Sequence, residues 1–399
     1  MLNLIGSKIK NISFSDIFGS FIFFILLIPS LTKKLVMKRK KEELWLICER
    51  TTARDNGYTF YKYMKENHPE IKTAYAVDFS GIDYEKIKEL GNGIKWGSIK
   101  HYFYYMTATW NITSHKEGNP NHMLFTILQR AFGFYDNVIF LQHGVLYQDF
   151  KMFYRKNCLF RIFICGAKGE YDFVNSRFGY DDEVKYTGLA RFDNLHDTNP
   201  DRSTILFIPT WRRWLCNETD FKSSEYFSKI MSLLNSSELE NLLCQYNMQL
   251  LFYPHAGTWS YSYLYCTASK HVRILDPKMT DIQELLKRGI LLITDYSSIF
   301  TDFSYMEKPI VYYQYDQTEY LHRHYQYKRT DNQNNSYFDY GRDGFGPVVH
   351  SEKELLDEVE RSILADFTVE EKYLQRIHNF FVLHDNKNCE RIFQEIEKL

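Results

Sequence analysis

The sequence is poor in the residues that mark fibrous, disordered and repeat proteins. Only nine Pro and nineteen Gly occur among its 399 residues, and no unit recurs at a fixed period. These features exclude collagen-like, low-complexity and solenoid architectures. With 44% hydrophobic and 25% charged residues, the chain has an ordinary globular composition and enough length for two domains of common size.

Several catalytic and metal-binding signatures are also missing. The chain has no G-x-G-x-x-G, G-x-x-x-x-G-K-[ST], G-x-S-x-G or H-E-x-x-H pattern, so dinucleotide redox enzymes, P-loop hydrolases, serine hydrolases and zincins lose their usual marks. Its seven cysteines form no C-x-x-C pair and are expected to be reduced thiols in a cytosolic compartment. No Asp-x-Asp pattern occurs, so side chains and a helix end would have to neutralise any bound diphosphate.

The charge is nearly balanced but unevenly distributed. A net charge of -1 argues against a nucleic-acid partner, because such proteins need a basic surface to displace counterions from phosphates. Residues 1–41 nevertheless carry eight Lys or Arg against one acid, which makes this segment +7 and the remainder -8. The excess positive charge is therefore concentrated at one end of the chain.

An uncharged stretch rich in Phe, Ile and Leu occupies residues 17–32, between Lys8 and Lys10 before it and six basic residues after it. Its 16 residues fall short of the roughly 20 that a membrane-spanning helix needs, and a cleaved signal peptide would carry the heavier charge before its apolar core. We therefore expect a peripheral anchor, whose apolar side chains enter the acyl boundary while the lysines meet the anionic inner surface of the membrane. A buried helix of the first domain is the alternative.

After this segment, short β-rich runs alternate with helical stretches, a pattern typical of parallel sheets with crossover helices. The predicted strands are residues 44–48, 73–77, 110–113, 138–142, 162–165 and 184–187, followed by 205–209, 249–253, 272–275, 291–294 and 310–313. The predicted helices include 57–67, 123–132, 167–177 and 281–287, the last capped by Thr280. The polar stretch 196–204 reads as a linker. The pattern predicts two doubly wound units that bind substrate in a cleft between them.

Two predicted strands end in histidine. Residues 138–142 run into His143-Gly144, where the glycine leaves the imidazole uncovered and permits a sharp turn. Residues 249–253 run into Pro254-His255. Either histidine could simply be satisfied in a turn, but two at equivalent places in successive units favour a shared functional role.

Two further strand ends carry groups suited to phosphate. Thr210, Arg212 and Arg213 follow one strand, and guanidinium groups suit a phosphate, although an Arg pair stacked on Trp211 is the alternative. Asp295-Tyr296-Ser297-Ser298 follows another strand and enters a helix, where Ser297, Ser298 and the free backbone N–H groups form an anion cradle. Asp295 is expected to cap this turn, and it could also accept a hydrogen bond from substrate.

These motifs together resemble one family. The resemblance rests on the following segments, in this order: Ala53-Arg54-Asp55-Asn56-Gly57, His143-Gly144, Gly188-Leu189-Ala190-Arg191-Phe192-Asp193, Pro209-Thr210-Trp211-Arg212, Pro254-His255, Thr294-Asp295-Tyr296-Ser297-Ser298, Glu307-Lys308-Pro309, and His384-Asp385 with Arg391-Ile392. In this pattern the chain is similar to the CDP-glycerol glycerophosphotransferases of teichoic-acid and capsule synthesis. The similarity spans nearly the whole chain after the apolar segment.

The resemblance implies a GT-B-like α/β fold, with two Rossmann-like domains facing a central cleft and an N-terminal membrane-associated helix. Residues 1–41 would be the membrane-associating segment, 42–198 the acceptor-side domain, 199–368 the CDP-donor domain, and 369–399 C-terminal helices that could pack back on the first domain. The implied activity is transfer of a polyol phosphate from CDP-glycerol or CDP-ribitol to a hydroxyl of a glycan or lipid-linked acceptor, with release of CMP. It would need no metal or cofactor, at the cytoplasmic face of a bacterial membrane.

The family's catalytic histidines match His143 and His255. We expect His143 to take the proton of the acceptor hydroxyl, since an imidazole with an ordinary pKa of about 6.5 suits a base at neutral pH. His255, Thr210, Arg212, Asp295, Ser297 and Ser298 would hold the donor, while the reverse roles for the two histidines stay open. Gly144 and Arg191 would support the acceptor side.

The sequence departs from the family after His-Gly. Val145-Leu146-Tyr147-Gln148 replaces the Thr-Pro-Leu-Lys that often follows in teichoic-acid polymerases, and Lys151 could supply the missing cation. The chain also has no long N-terminal extension, which favours a single transfer over processive polymerisation. A GT-B glycosyltransferase using a nucleotide sugar and a membrane-bound scaffold of a capsule assembly complex remain the alternatives, and the oligomeric state is not predicted.

Overall fold

The structure of the protein is a computed structural model, which describes residues 13–323 and 336–399. The chain forms two compact units, of which unit 1 comprises the residues up to Asn194 together with Asp385–Leu399, and unit 2 comprises Leu195–His384. The boundary comes just before the polar stretch 196–204. The segment after residue 369 divides between the two units, so its last helix belongs to unit 1.

Unit 1 is built on a seven-stranded, fully parallel sheet in the order β3-β2-β1-β4-β5-β6-β7. The order in which strands are added to the sheet reverses between β1 and β4, as in other doubly wound sheets. Central strands such as β1 are buried over every residue, which matches their uninterrupted apolar sequence. The strands are β1 Leu44–Cys48, β2 Lys72–Val77, β3 Gly93–Lys95, β4 Trp110–Thr113, β5 Val138–Phe140, β6 Ile162–Cys165 and β7 Val184–Tyr186.

Helices connect these strands and cover the sheet. They are α1 Phe14–Lys40, α2 Asn56–Asn67, α3 Tyr84–Leu90, α4 Ile99–Thr107, α5 His122–Phe132, α6 Lys168–Arg177 and the returning C-terminal helix α16 Asn388–Glu397. Helix α16 is tied to the loop after β7, where Asp193 accepts hydrogen bonds from the backbone N–H groups of Asn388 and Cys389 at 2.8 Å each. The end of the chain is therefore part of unit 1.

Helix α1 is longer than the apolar stretch from which it was predicted. It runs for 27 residues, begins with a capping box between Ser13 and Asp16, and ends among Lys38, Arg39 and Lys40. Ile22 and Phe23 pack into the core of unit 1, while the opposite face exposes large apolar side chains: Ile17, Phe18, Phe21, Phe24, Ile25, Ile28, Leu31 and Leu35.

This helix corrects one expectation. By length and composition it could cross a membrane, so length no longer excludes a spanning segment. The reason is that the helix continues through the basic residues after the apolar stretch. Lys8 and Lys10 lie outside the described residues.

Unit 2 repeats the same architecture with six parallel strands in the order β10-β9-β8-β11-β12-β13. The strands are β8 Thr204–Phe207, β9 Gln249–Phe252, β10 Val272–Ile274, β11 Leu291–Thr294, β12 Ile310–Tyr313 and β13 Val348–Val349. The α-helices are α7 Glu218–Lys222, α8 Glu225–Leu234, α9 Ser237–Gln245, α10 Ile282–Arg288, α11 Ile299–Tyr305, α12 Gln317–Arg323, α13 Tyr340–Asp343, α14 Glu352–Leu364 and α15 Glu371–Phe380. Its apolar core joins β8, β9 and β11 to α8, α9 and α14.

A buried lysine gives a structural role to one segment of the family resemblance, Glu307-Lys308-Pro309. The Nζ atom of Lys308 donates hydrogen bonds to the carbonyl oxygens of Leu286, Lys287 and Gly289 at 2.6–3.1 Å. These carbonyls end helix α10 and would otherwise lack partners. The lysine thus joins α10 to the start of β12.

The predicted strands and helices are confirmed with small shifts at their ends. The sequence missed β3 and β13, which have three and two residues respectively and therefore show no usable alternation. Helix α10 is capped by Asp281, whose carboxylate accepts from the backbone N–H groups of Gln283 and Glu284, and Thr280 was the wrong cap. All seven cysteines are free, as expected.

Candidate active site

The carboxyl ends of β1, β4 and β5 bring the functional groups of unit 1 together. These three strands are neighbours in the sheet, and the winding reverses between β1 and β4. Ligands of doubly wound sheets bind at this edge, because the loops diverge there and leave a crevice. Glu49 follows β1, His115 follows β4, and His143 follows β5.

Asp55 is the centre of this group. One of its carboxylate oxygens accepts a hydrogen bond from Nδ1 of His143, and the other accepts from NH1 of Arg191 at 2.5 Å. Arg191 also donates to the backbone carbonyl of His143. Burial by itself would raise the pKa of Asp55, but the Arg191 guanidinium and then His143 outweigh it and hold that pKa well below its usual range.

The His143 side chain is held on one edge and open on the other. Its Nδ1 atom faces the Asp55 carboxylate, yet 68% of the side chain is exposed. A carboxylate at Nδ1 fixes the tautomer with the proton on Nδ1 and leaves the Nε2 lone pair free. The arrangement therefore presents an oriented base to solvent.

The backbone that carries His143 is strained. The preceding residue, Gln142, lies in the left-handed region with φ +66°, which is costly for a residue with a side chain. Asn56 Nδ2 donates to the Gln142 carbonyl oxygen at 2.8 Å. The carboxylate of Glu170 accepts from Gln142 Nε2 at 2.9 Å and from Leu146 N at 2.6 Å, so the loop is held at both ends.

Two buried glutamates act as clamps for these loops. Glu170 accepts a third hydrogen bond, from the backbone N–H of Gly166 at 2.6 Å, and its burial raises its pKa to about 8. Glu49 accepts from the backbone N–H groups of Arg54, Asp55 and Tyr58 at 2.6–2.9 Å, while burial raises its pKa. Both side chains are at most 1% exposed and serve the position of Asp55 and His143.

His115 lies beside His143, with their ring centroids 4.5 Å apart. Burial, with a further effect of His143, lowers the pKa of His115 to about 3, so its imidazole is neutral. Asp55, His115 and His143 offer ligand atoms within 4.8 Å of one another, a spacing that could admit a cation. Both oxygens of Asp55 are already paired, however, and Arg191 brings a positive charge to the same carboxylate. The cluster is better suited to holding an imidazole than a metal ion.

In unit 2 the structure corrects the role expected for Arg212. Its side chain is completely buried. Nε and NH2 donate to Asp316 at 2.6 and 2.9 Å, and NH1 donates to Asp295 and to the Thr210 carbonyl oxygen at 2.9 Å each. The guanidinium also lies 4.7–5.9 Å from four aromatic ring centres: Tyr226, Tyr296, Tyr315 and Tyr320. With all three nitrogens engaged, Arg212 ties the loops together and offers no face to a phosphate.

Asp295 shares this structural role. Its carboxylate accepts from the backbone N–H groups of Thr210 and Tyr296 at 2.7 and 2.5 Å as well as from Arg212. These bonds join the ends of β8 and β11 at the switch point of unit 2. The carboxylate is only 2% exposed, so its contacts support the capping role and leave little access for substrate.

The remaining polar groups at the strand ends of unit 2 differ in their exposure to solvent. Arg213 and Ser298 are exposed and Ser297 is half-buried; Thr210 is buried except for 7% of its surface. Ser297 and Ser298 directly precede helix α11, and neither closes its first turn as a strong cap. Of these two adjacent arginines, Arg213 is the one whose side chain is exposed.

His255 is oriented differently from His143. Its Nδ1 atom accepts a hydrogen bond from the backbone N–H of Gly257 at 2.9 Å, which places the imidazole proton on Nε2. The ring lies parallel to that of Trp211, with centroids 6.2 Å apart. A side chain at Gly257 would collide with Trp211, since its Cβ would lie 2.5 Å from the indole. The glycine therefore permits the turn that holds His255.

The predicted residues divide between the two units. Arg191 and His143 meet in unit 1, whereas Thr210, Arg212, Asp295 and the two serines meet in unit 2. Gly144 is half-buried beside His143, and Lys151 lies exposed in a 3-10 turn, Lys151–Phe153. His143 and His255 belong to different units, so their action on one substrate stays a prediction.

Sequence reasoning missed the partners of these residues. Asp55 lies in the Ala53-Arg54-Asp55-Asn56-Gly57 segment of the family resemblance, but the sequence assigns it no role. Glu49, Glu170 and Asp316 gave no signal, because a single acidic residue in a loop does not show which distant donors it will meet. Only a strand-end position distinguished His115.

The chain is similar to proteins of teichoic-acid synthesis. A profile of the family described as CDP-Glycerol:Poly(glycerophosphate) glycerophosphotransferase matches residues 30–398. The minor teichoic acid biosynthesis protein GgaB of Bacillus subtilis is 28% identical, over 90% of this chain and 40% of its own length. A teichoic acid poly(glycerol phosphate) polymerase of Bacillus subtilis is 23% identical, over 86% of this chain and 47% of its own length. The chain thus spans less than half the length of these relatives.

Solved structures show the same fold. The wall teichoic acid polymerase TagF matches with a TM-score of 0.67 and 15% identity, over 97% of this chain and 98% of that chain. A UDP-GlcNAc 2-epimerase from Neisseria meningitidis matches with a TM-score of 0.51 and 10% identity, over 90% and 100% of the two chains. The expected GT-B-like fold class is confirmed.

The shared carboxylate can be tested by replacing Asp55. We expect Asp55→Asn to lower the free energy of unfolding by about 3–5 kcal/mol, because an amide has one acceptor oxygen where His143 and Arg191 need two. Urea unfolding measures the loss, and imidazole nitrogen NMR shows whether Nδ1 of His143 remains the protonated nitrogen. Asp172→Asn is the control, since its exposed pair with Lys168 should contribute less than about 0.5 kcal/mol. Equal stability of the two variants with an unchanged tautomer would contradict the interpretation.

Adjacent arginines provide a matched test in unit 2. Arg212→Met should cost about 3–5 kcal/mol of unfolding free energy, because Asp295 and Asp316 would be left buried without their cation. Arg213→Met removes the same charge from an exposed side chain and should change the stability by about 0.5 kcal/mol or less. The thermal midpoints of both variants give the comparison, and similar losses would refute the structural role of Arg212.

Proposed function

The chain belongs to the CDP-glycerol:poly(glycerophosphate) glycerophosphotransferase family, and on that premise we propose that it transfers glycerol phosphate from CDP-glycerol to a hydroxyl of a glycan or lipid-linked acceptor. The products are CMP and the lengthened acceptor, in teichoic-acid or capsular polysaccharide biosynthesis. Support for the donor class comes from its relatives, which are named as teichoic acid polymerases and transferases, and from a matching TagF structure soaked with CDPG.

The observation that carries the proposal is the Asp55–His143 pair. With Nδ1 donating to Asp55, the Nε2 lone pair of His143 takes the proton of the acceptor hydroxyl. The freed oxygen then attacks the β-phosphorus of the donor, and the bond from that phosphorus to the bridging oxygen of CMP breaks. Asp55 stabilises the imidazolium that forms, as carboxylates do in other carboxylate–histidine pairs.

His255 performs the complementary task. Because its Nδ1 accepts from Gly257 N–H, Nε2 carries the proton and can donate a hydrogen bond to the leaving CMP phosphate. The two histidines therefore have different roles: His143 is the base and His255 is the donor. The different hydrogen bonds at Nδ1 of the two rings support this assignment of roles.

The remaining donor charge is met by open groups of unit 2. Arg213 supplies a guanidinium, while Thr210, Ser297 and Ser298 supply hydroxyls. Arg212 acts indirectly, since it positions Asp295 and the loops that carry these groups. We propose that no metal is needed, because the Arg213 guanidinium and these hydroxyl groups would meet the diphosphate charge.

We also propose that helix α1 attaches the protein to the cytoplasmic face of the bacterial membrane. Its exposed face carries Phe21, which is 62% exposed, and Ile28, which is 76% exposed. Its last turn carries three basic residues. Apolar side chains that enter the acyl boundary and lysines that meet anionic headgroups give a helix two additive contributions to membrane binding.

A donor panel tests the activity. Purified protein should release CMP from CDP-glycerol in the presence of acceptor, even with a chelator present, and nucleotide sugars should release no nucleoside diphosphate. His143→Ala should lower turnover by roughly 10²–10⁴-fold, because it removes the general base, with the donor KM little changed. Product mass identifies the transferred group and separates glycerol from ribitol donors.

Three outcomes would reject this assignment. Turnover of purified His143→Ala equal to that of the wild type would remove the base, and diphosphate release from a sugar donor would indicate a glycosyltransferase. Failure to bind any cytidine nucleotide would favour a scaffold role. Lys151→Ala tests the exposed cation in the loop after β5, and a raised acceptor KM would support its predicted acceptor role.

Membrane attachment has its own test. We expect the double variant Phe21→Glu, Ile28→Glu to lose at least about tenfold in binding to phosphatidylglycerol vesicles, because both charges would enter the acyl boundary. Co-sedimentation measures the bound fraction. The control variant Met279→Glu, Leu364→Glu places the same charges at exposed apolar positions of unit 2, and equal losses in the two variants would contradict attachment through α1.

A further inference from the structure

Unit 1 contains a cavity of about 700 Å³ between the N-terminal helix and the functional edge of the sheet. Asp16, Phe18 and Ile22 of helix α1 form one wall. Residues from the ends of β1, β3 and β4 form the other, including Arg50, Trp96 and His115. Its volume lies in the range of small-molecule sites.

Two residues of its lining each carry a buried polar atom that has no partner among the described residues. Nδ1 of His115 and Oδ1 of Asn119 are buried and accept or donate no hydrogen bond within the part of the chain that the structure describes. Buried polar atoms are normally paired, since an unmade hydrogen bond costs about 1–3 kcal/mol. The residues that carry these atoms line the cavity, and each has hydrogen-bonding capacity that no described protein group satisfies.

The cavity leads to the proposed base. His115 lines it and also contacts His143, with 4.5 Å between the ring centroids. Glu49, the clamp of the Asp55 loop, lines it as well. A molecule seated here therefore has one end near the imidazole that must take a hydroxyl proton.

The chemistry of the lining favours a neutral sugar over a chain of phosphates. Trp96 and Tyr102 supply aromatic surface, and Asn119 supplies an amide. Besides Glu49, which accepts from backbone N–H groups, Asp16 and Glu117 bring two carboxylates against the single guanidinium of Arg50. Carboxylates accept hydrogen bonds from sugar hydroxyls but repel phosphodiesters.

The helix wall indicates where the rest of the acceptor lies. Phe18 lines the cavity and is 56% exposed, and it belongs to the same apolar face as Phe21 and Ile28. A lipid attached to a bound sugar would leave the cavity along this face. The same helix that we assign to membrane attachment therefore also forms the entrance of the cavity.

We propose that this cavity is the acceptor site, and that it binds the uncharged sugar end of a lipid-borne acceptor with the reacting hydroxyl directed to His143. The inference rests on the proposed transferase function and specifies its second substrate. Asp16, Trp96, Glu117 and Asn119 are the residues that select the sugar. None of them takes part in the chemical step.

The kinetic test uses octyl glycosides of neutral hexoses and N-acetylhexosamines as acceptors, with the CDP-polyol that the donor panel identifies. Trp96→Leu, Glu117→Gln and Asn119→Ala should each raise the acceptor KM about tenfold, as the loss of one buried contact predicts, with the donor KM within about twofold. Trp96→Phe, which keeps an aromatic ring, should recover most of the affinity. Unchanged acceptor KM in all three variants, or equal rises in both KM values, would overturn the proposal.

Matched controls come from unit 1 itself. Glu85→Gln and Asn67→Ala change the same residue types at exposed positions of helices α3 and α2, and they should leave both KM values unchanged. Methyl glycosides should bind more weakly than octyl glycosides, because they lack the lipid. An oligo(glycerol phosphate) acceptor that is used more efficiently than every neutral glycoside would also overturn the proposal.

Binding without donor separates this proposal from the proposed function. Saturation-transfer NMR of the octyl glycosides with wild-type protein should show contact with the sugar protons, and Trp96→Leu and Asn119→Ala should weaken the signal. If no CDP-polyol is turned over, the transferase assignment fails, yet this measurement still decides the cavity. No signal with the wild type, or equal signals with the variants, would refute a sugar site.

Discussion

The active edge of unit 1 depends on one buried carboxylate, that of Asp55. It neutralises Arg191, orients His143 and stands at the start of helix α2. Without it, a guanidinium would be buried unpaired and the imidazole could take either tautomer. The strain at Gln142 and the clamps of Glu49 and Glu170 make sense around this carboxylate, because they fix the two loops that must meet on it. The hydrogen bonds that hold these loops therefore also orient the proposed base.

In unit 2 the loops are also held by a buried charged group, but the central charge there is positive. There the central group is a guanidinium, that of Arg212, and two aspartates and a carbonyl surround it. Its cost of burial is offset by four hydrogen bonds and a shell of tyrosine rings. Such a group cannot also bind substrate, because any ligand would have to displace Asp295 or Asp316. The exposed neighbour Arg213 is free of this constraint, which shows why the position of a charge matters more than its presence in a motif.

Helix α1 takes part in both the proposed membrane attachment and the proposed acceptor site. One face packs into the core of unit 1 through Ile22 and Phe23, while the other keeps large apolar side chains exposed. Exposed apolar area of this extent on a soluble surface is unfavourable unless something covers it. The same helix forms a wall of the cavity that reaches His115. A membrane-borne acceptor would satisfy both features at once, since its lipid and its sugar need different environments a short distance apart.

The sequence by itself determined the two parallel sheets, the strand ends on which the candidate site residues lie, and the family. It could do so because buried strands are continuous apolar runs, and because a parallel sheet must return its polar strand ends to one edge. It predicted His143 and His255, yet it could not assign their tautomers. Only the tertiary structure decided that Arg212 is buried while Arg213 is open, that Asp55 joins His143 to Arg191, and that α1 continues to Lys40. These outcomes depend on contacts between residues up to 136 positions apart, and local sequence carries no record of which distant donor will meet which acceptor.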